Sequence, residues 1–171
     1  RTRDPVPVAC EIVLAFQSAV TRQFSVWDPV VLTVGRIAAG TKDNIIPDDA
    51  DLDATLRTFS ADNRARAHEA VTRVAEHVAR AHGMTAEVTI GNGYPVTVND
   101  DAAAEEVLAT ARWLVGDGLA VPMASPVMGA EDFSYVVEQV PGAMAFLGAR
   151  PAGVPAGRVA PNHSNRMVLD E

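Results

Sequence analysis

The sequence predicts a mixed α/β (α+β) chain in two parts: a strand hairpin set between two helices, then a portion of a larger α/β domain. Three observations predict it. Apolar residues recur at helical spacing in residues 6–23 and again in residues 60–82, with β-branched, alternating runs between them. The stretches after Tyr94 hold too few apolar elements to cover one another. A Pro/Gly-rich segment from Ala149 to Ser164 follows the last apolar run, the composition of a surface loop that borders a site.

Taken in order, Asp4-Pro5-Val6-Pro7 reads as a turn into a helix. Ile12, Phe16, Ala19 and Val20 give that helix one apolar face, from Val6 to Gln23. Trp27-Asp28-Pro29 breaks it. Val30 to Ala38 is β-branched and apolar, a strand. Gly40 to Asp51 is a turn-rich loop holding Asn44 and Pro47. Leu52 to Phe59 alternates Leu52, Ala54, Leu56 and Thr58 against polar neighbours, so the two strands pair as a hairpin. Ser60 is suited to cap the second helix, with Asp62 in its first turn, where the helix dipole favours a negative charge. Ala67, Val71, Val74, Ala75 and Val78 form its inner face, and Gly83 closes it. Thr85 to Ile90 reads as a third strand.

The order helix, strand, strand, helix, strand is a split βαβ, ferredoxin-like unit lacking its opening strand. That strand would lie in the middle of the sheet, next to the last one, so its absence leaves a gap in the pairing. The chain is therefore expected to be a piece of a longer one, and its lack of an initiator methionine agrees. Beyond Tyr94, Asp100 or Asp101 caps a helix through Leu114. A helix is expected from Ala130 to Gln139 with Glu131 and Asp132 in its first turn, and a short buried strand from Ala143 to Gly148.

Composition narrows the function classes. The 171 residues are 48% hydrophobic and 21% charged, an ordinary globular balance. A net charge of −8 leaves no basic field for phosphates and argues against nucleic acid as the main partner. No apolar run approaches the roughly 18 residues of a membrane span, and Arg1-Thr2-Arg3-Asp4-Pro5 lacks a signal-peptide pattern. With Cys10 the single cysteine, no internal disulfide forms, which suits a reducing, cytoplasmic compartment. Its neighbours Val8, Ala9, Ile12 and Val13 mark Cys10 as a buried small hydrophobe rather than a nucleophile.

Few residues offer chemistry. His163, in Pro161-Asn162-His163-Ser164, is either a polar loop residue or a metal ligand; His68, His77 and His82 sit on a helix, largely off its apolar stripe, and are expected to face solvent. No HxxxH, HxH or CxxC spacing occurs, so at most one or two ligands of a metal site are present. Glu131 and Asp132 point about 100° apart on a helix and cannot oppose each other as acid and base. Gly129, directly before them, either lets backbone N–H groups approach a carboxylate or serves a turn. Asn44 is either a turn residue or an amide offered from the tip of the hairpin. Arg57, on the polar face of its strand, reads as a surface ion-pair residue more readily than as an anion clamp.

At these residues the chain resembles the amidohydrolase branch of the aminoacylase/carboxypeptidase-type dinuclear metallopeptidases, which includes hippurate hydrolases and auxin-conjugate hydrolases. The resemblance lies in Asp4-Pro5-Val6, Gly40-Thr41-Lys42-Asp43-Asn44-Ile45-Ile46-Pro47, Leu56-Arg57-Thr58-Phe59-Ser60, Gly93-Tyr94-Pro95 with Asn99-Asp100, Met128-Gly129-Ala130-Glu131-Asp132-Phe133-Ser134, Pro141-Gly142 with Phe146-Leu147-Gly148, and His163-Ser164. These stretches occur in family order over nearly the whole chain.

The resemblance implies an incomplete lid (dimerisation) domain over residues 1–93 and the C-terminal portion of a catalytic domain over residues 94–171. It implies hydrolysis of the amide of small N-acyl amino acids by the parent protein. Two divalent ions (zinc, manganese, cobalt or nickel) would activate a bridging water while a carboxylate acts as base. His163 matches the C-terminal metal ligand, Asn44 the lid asparagine that reaches a partner subunit's site, and Gly129 the loop beside the substrate carboxylate. The lid implies a homodimer through the outer strand from Val30 to Ala38. The family's other ligands and its general base would fall upstream of Arg1. No catalytic base is therefore expected in these residues, and the chain alone is expected to bind no metal pair and to be inactive.

Overall fold

Asp4 opens the first helix: its carboxylate accepts from the Val6 N–H at 3.0 Å, and Pro5 occupies the first turn, where no N–H is needed. The computed structural model describes residues 3–169; Arg1, Thr2, Asp170 and Glu171, the outer ends of the two expected domains, lie outside the described residues. The elements are α1 (Pro5–Gln23), β1 (Val30–Ala39), β2 (Ala50–Thr58), α2 (Ala61–Ala81), α3 (Asp101–Val115), α4 (Phe133–Val137) and a 3-10 turn (Ala156–Arg158). By packing they fall into two compact units, one of residues up to Val98 with Pro122–Val140, the other of Asn99–Val121 with the residues from Pro141 on. The expected division at residue 93 is one of role; this is one of contact.

In the first unit β1 and β2 form the antiparallel hairpin that the alternation predicts, with Leu32 opposite Leu56 and Val30 opposite Thr58. A bulge between Val34 and Arg36 leaves Gly35 unpaired and shifts the register, so Arg36 comes opposite Asp53. Their side chains meet at 2.7 Å in an exposed ion pair. The helices lay their apolar faces on this hairpin: Val8, Ile12 and Phe16 of α1, Leu32 of β1, and Ala75 and Ala79 of α2 make the buried cluster. Cys10 is one departure. It is exposed, because the inward stripe of α1 runs through Val8, Ala9, Ile12 and Phe16 and position 10 turns away from it.

The start of α2 is held by a small polar network. Ser60 Oγ accepts from the Asn63 N–H at 3.2 Å and donates to Asp28 Oδ2 at 2.8 Å, while the buried Asn63 amide donates to the Asp28 carbonyl at 2.8 Å. Substituting Ser60→Ala removes the cap and one partner of Asp28; thermal or denaturant melting is expected to show a loss of about 1 kcal/mol. At the other end, the Met84 N–H reaches the Ala79 carbonyl and the Gly83 N–H the Arg80 carbonyl, both at 2.9 Å. This Schellman closure needs Gly83 at φ +69°.

It delivers Met84, Ala86 and Val88 onto the core, with Thr85, Glu87 and Thr89 outward. The segment has the alternation of the predicted third strand but forms no ladder: among the described residues the sheet has two strands, β1 and β2. In a split βαβ unit this strand pairs with the opening one, and no described residues fill that place.

In the second unit, Asp100 caps α3 by accepting from the Ala103 N–H at 2.9 Å. The helix buries no residue, and Trp113 is 81% exposed. Ala143 to Gly148 is not the expected buried strand. The Asn99 side chain bridges both backbone groups of Met144, at 3.2 and 2.9 Å, but Phe146 and Leu147 stand exposed. A strand needs neighbours to bond and a layer to cover it, and this unit has neither among its described residues.

Candidate functional site

The hairpin places Asn44. A turn closes from the Lys42 carbonyl to the Ile45 N–H at 3.4 Å, and Gly40 enters the loop at φ +70°, where an added Cβ would lie 3.8 Å from the Pro47 ring. Asn44 stands exposed at the tip between Asp43 and the exposed Ile45 and Ile46. An amide between charged and apolar neighbours, carried away from the core, is available to a ligand or a second molecule.

Gly129 also lies in the first unit. The helix expected from Ala130 is shorter, Phe133–Val137, so Glu131 and Asp132 precede it instead of forming its first turn. Asp132 takes the N-cap position without a side-chain cap bond. The reason is Ser134, fully buried, whose Oγ donates to the Glu131 carbonyl at 2.7 Å and fixes a tight turn ahead of the helix. Gly129 is exposed and has an ordinary φ; a Cβ there would meet only Glu131 Oε1, at 3.7 Å.

Arg57 was the residue least legible from sequence. It is exposed and makes no ion pair among the described residues: Nη1 donates to the Met128 carbonyl at 2.5 Å, tying β2 to the loop that carries Gly129. The only sequence signal was its outward position on the strand, since its partner lies far along the chain. Nearby, Tyr94 packs edge-on against Tyr135 with ring centroids 5.8 Å apart, and Arg64 holds the Gly93 carbonyl at 3.1 Å.

His163 lies in the second unit, exposed, in a turn closed from the Pro161 carbonyl to the Ser164 N–H at 3.1 Å. Its φ of +67° makes it the one non-glycine residue of left-handed conformation among the described residues. Non-glycine residues held there are uncommon and gather at ligand sites. Its imidazole is the kind of nitrogen donor a zinc-like ion takes. Among the described residues, however, no three His, Cys, Asp or Glu side chains gather into a metal cage. One imidazole does not hold such an ion alone, so these residues do not fit a complete metal centre.

The other histidines are structural. His77 Nδ1 lies 2.7 Å from the Arg73 carbonyl, and His82 Nε2 lies 2.6 Å from Glu11 Oε2, linking α2 to α1. His68 is half-buried rather than solvent-facing, and burial, followed by the nearby Arg64 charge, lowers its pKa from the usual 6.5. A histidine with a lowered folded pKa binds fewer protons folded than unfolded, so its cost appears as pH falls below 6.5. The melting temperature is expected to fall from pH 7 to pH 5, and His68→Gln is expected to flatten that slope.

Among the described residues no helix is long and apolar enough to cross a membrane. Residues 10–171 match the Peptidase family M20/M25/M40. The chain is 34% identical to Thermostable carboxypeptidase 2 of Saccharolobus solfataricus over 99% of its own length and 42% of that protein's. It is 31% identical to N-acetyldiaminopimelate deacetylase of Geobacillus sp. over 94% of its length and 43% of that protein's. Among solved structures it is similar to Bacillus subtilis YXEP protein, described as a dinuclear metal-binding peptidase. The TM-score is 0.66 and the identity 31%, over 81% of this chain and 35% of that one. The chain thus spans less than half the length of these relatives, and along that span it belongs to the Peptidase family M20/M25/M40.

Proposed function

We propose that the intact protein carrying this chain is a metal-dependent amidohydrolase that splits the amide bond of N-acyl amino acids. The observation that carries this reading is the family match over residues 10–171. The deacetylase among the relatives acts, by its name, on an N-acylated amino acid. In this reading residues 1–93 are a lid and residues 94–171 part of the catalytic domain. Asn44 and Gly129 contact substrate, and His163 is one ligand of a pair of divalent ions. The remaining ligands and the general base come from outside these residues, and the chain alone is inactive.

Amino-acid release from a panel of N-acyl amino acids, followed before and after a chelator and again after zinc, manganese, cobalt or nickel is restored, tests it. Hydrolysis lost to the chelator and regained with one of these metals is the expected result. Hydrolysis indifferent to the chelator, or none on any substrate, overturns the reading.

One observation favours a second, compatible role as a homodimerisation module. β1 pairs only with β2 among the described residues, so its outer edge, Val30–Ala39, offers unpaired backbone to a second copy. A dimer would let Asn44 serve the partner's site. Sedimentation of the intact protein tests it: a dimer broken by Thr33→Pro supports the edge, and a monomer removes it. We place the intact protein in a reducing, cytoplasmic compartment, a reading that rests on the single cysteine of these 171 residues and on nothing outside them.

A further inference from the structure

The connection Gly91-Asn92-Gly93-Tyr94 is free by composition and fastened by one side chain. Upstream of it, Met84, Ala86 and Val88 pack against the core. Downstream, Pro95 locks its own φ and narrows the choices of Tyr94. Between these stiff ends stand two glycines that no local geometry requires. Neither has a left-handed φ, and a Cβ added at Gly91 or Gly93 would meet nothing within 4 Å. Glycine in such a place adds freedom rather than fit.

Residues 91–94 are exposed, and among the described residues no backbone–backbone hydrogen bond holds them. Arg64 does so instead. Its Nη2 donates to the Gly93 carbonyl at 3.1 Å and to Asn92 Oδ1 at 3.3 Å, and Nη1 reaches the Tyr94 carbonyl at 3.5 Å. The guanidinium fork thus spans three successive residues, which a single amine cannot do. Its base is firm. The Arg64 N–H bonds to the Ser60 carbonyl at 3.0 Å, in the first turn of α2, where Ser60 and Asn63 are both tied to Asp28. The fork's own bonds are long and go to neutral acceptors at the surface, so they open readily.

We propose that Gly91–Gly93 is a hinge and Arg64 its latch: the guanidinium selects one path for a connection whose glycines leave many open. Arg64 is a positioning residue that acts through backbone and touches no reacting group. The effect on turnover rests on the amidohydrolase reading, in which this connection joins the lid to the catalytic part; the effect on the connection does not.

Two measurements on the intact protein test it. The first is amide hydrogen exchange of peptides covering Gly91–Val96. Arg64→Gln is expected to speed exchange there several-fold and to leave α1 and hairpin peptides unchanged. Arg64→Lys, which serves one acceptor at a time, is expected to recover only part of the protection. Unchanged exchange in Arg64→Gln overturns the latch, and faster exchange everywhere shows a general loss of fold and overturns it too. The second is steady-state hydrolysis of an N-acyl amino acid by the double variant Gly91→Ala with Gly93→Ala. Both positions have room for a methyl group and an ordinary φ, so the melting temperature is expected to hold or rise. With the hinge stiffened, kcat is expected to fall several-fold and KM to move with it. Kinetics equal to those of the unsubstituted protein overturn the hinge, and a melting temperature that falls together with activity does so as well. If no substrate is cleaved, the amidohydrolase reading fails, and the exchange measurement still decides the role of Arg64.

Discussion

Replacing His163 by asparagine in the intact protein is expected to lower kcat/KM for an N-acyl amino acid by at least about a hundredfold and to reduce its metal content. Removing a partner one shell out from a metal already costs roughly 10–100-fold, and a direct ligand costs more. Asparagine is the informative substitution because His163 sits at φ +67°, a conformation that asparagine tolerates well and β-branched residues do not. The turn from Pro161 to Ser164 therefore survives while the imidazole is lost. Metal analysis and kinetics on the same preparation check the prediction. Full metal content with full activity would return His163 to the status of a polar loop residue.

The second large effect is on stability. Phe16 is 5% exposed and is the largest side chain of the buried cluster, whose α2 side is made of Ala75 and Ala79. Alanines let the helix approach closely but fill little space, so α1 supplies most of the volume. Phe16→Ala is expected to cost about 3–5 kcal/mol through lost burial and a residual cavity. Domains of ordinary stability have only about 5–15 kcal/mol in all. Leu14, on the same helix but 71% exposed, is the control: Leu14→Ala is expected to change stability by about 0.5 kcal/mol or less. Denaturant midpoints of the two variants check the pair, and equal losses would mean that α1 does not pack as described.

The elements that could be read from sequence were those whose signal is local. The spacing of Ile12 and Phe16, the Ser60 cap, the Gly83 closure and the alternation on either side of Asn44 each depend on residues a few positions apart. Two features were misread because they depend on distant or missing partners. Thr85 to Ile90 alternates like a strand, yet a ladder requires a neighbouring strand, and none of the described residues provides one. Ala143 to Gly148 is apolar enough for a buried strand, but burial depends on a covering layer. A third, the helix expected from Ala130, was misread for a local reason: it starts at Phe133, behind a turn in which the buried Ser134 hydroxyl donates to the Glu131 carbonyl.

The candidate site divides in the same way. Asn44, Gly129 and His163 stand in recognisable stretches, and that is why sequence could name them. The bond from Arg57 to Met128 could not be foreseen, because no pattern on β2 announces a carbonyl in a loop beyond α3. The left-handed backbone of His163 is likewise set by the turn around it, and Pro161-Asn162 before it was the only hint.

The most direct test sets the intact protein beside the 171-residue chain, with metal content and N-acyl amino acid turnover measured on both. The account expects about two divalent ions per chain and turnover in the intact protein, and neither in the shorter chain, whose described residues gather no metal cage. Two ions and turnover in the shorter chain, or neither in the intact protein, would contradict it.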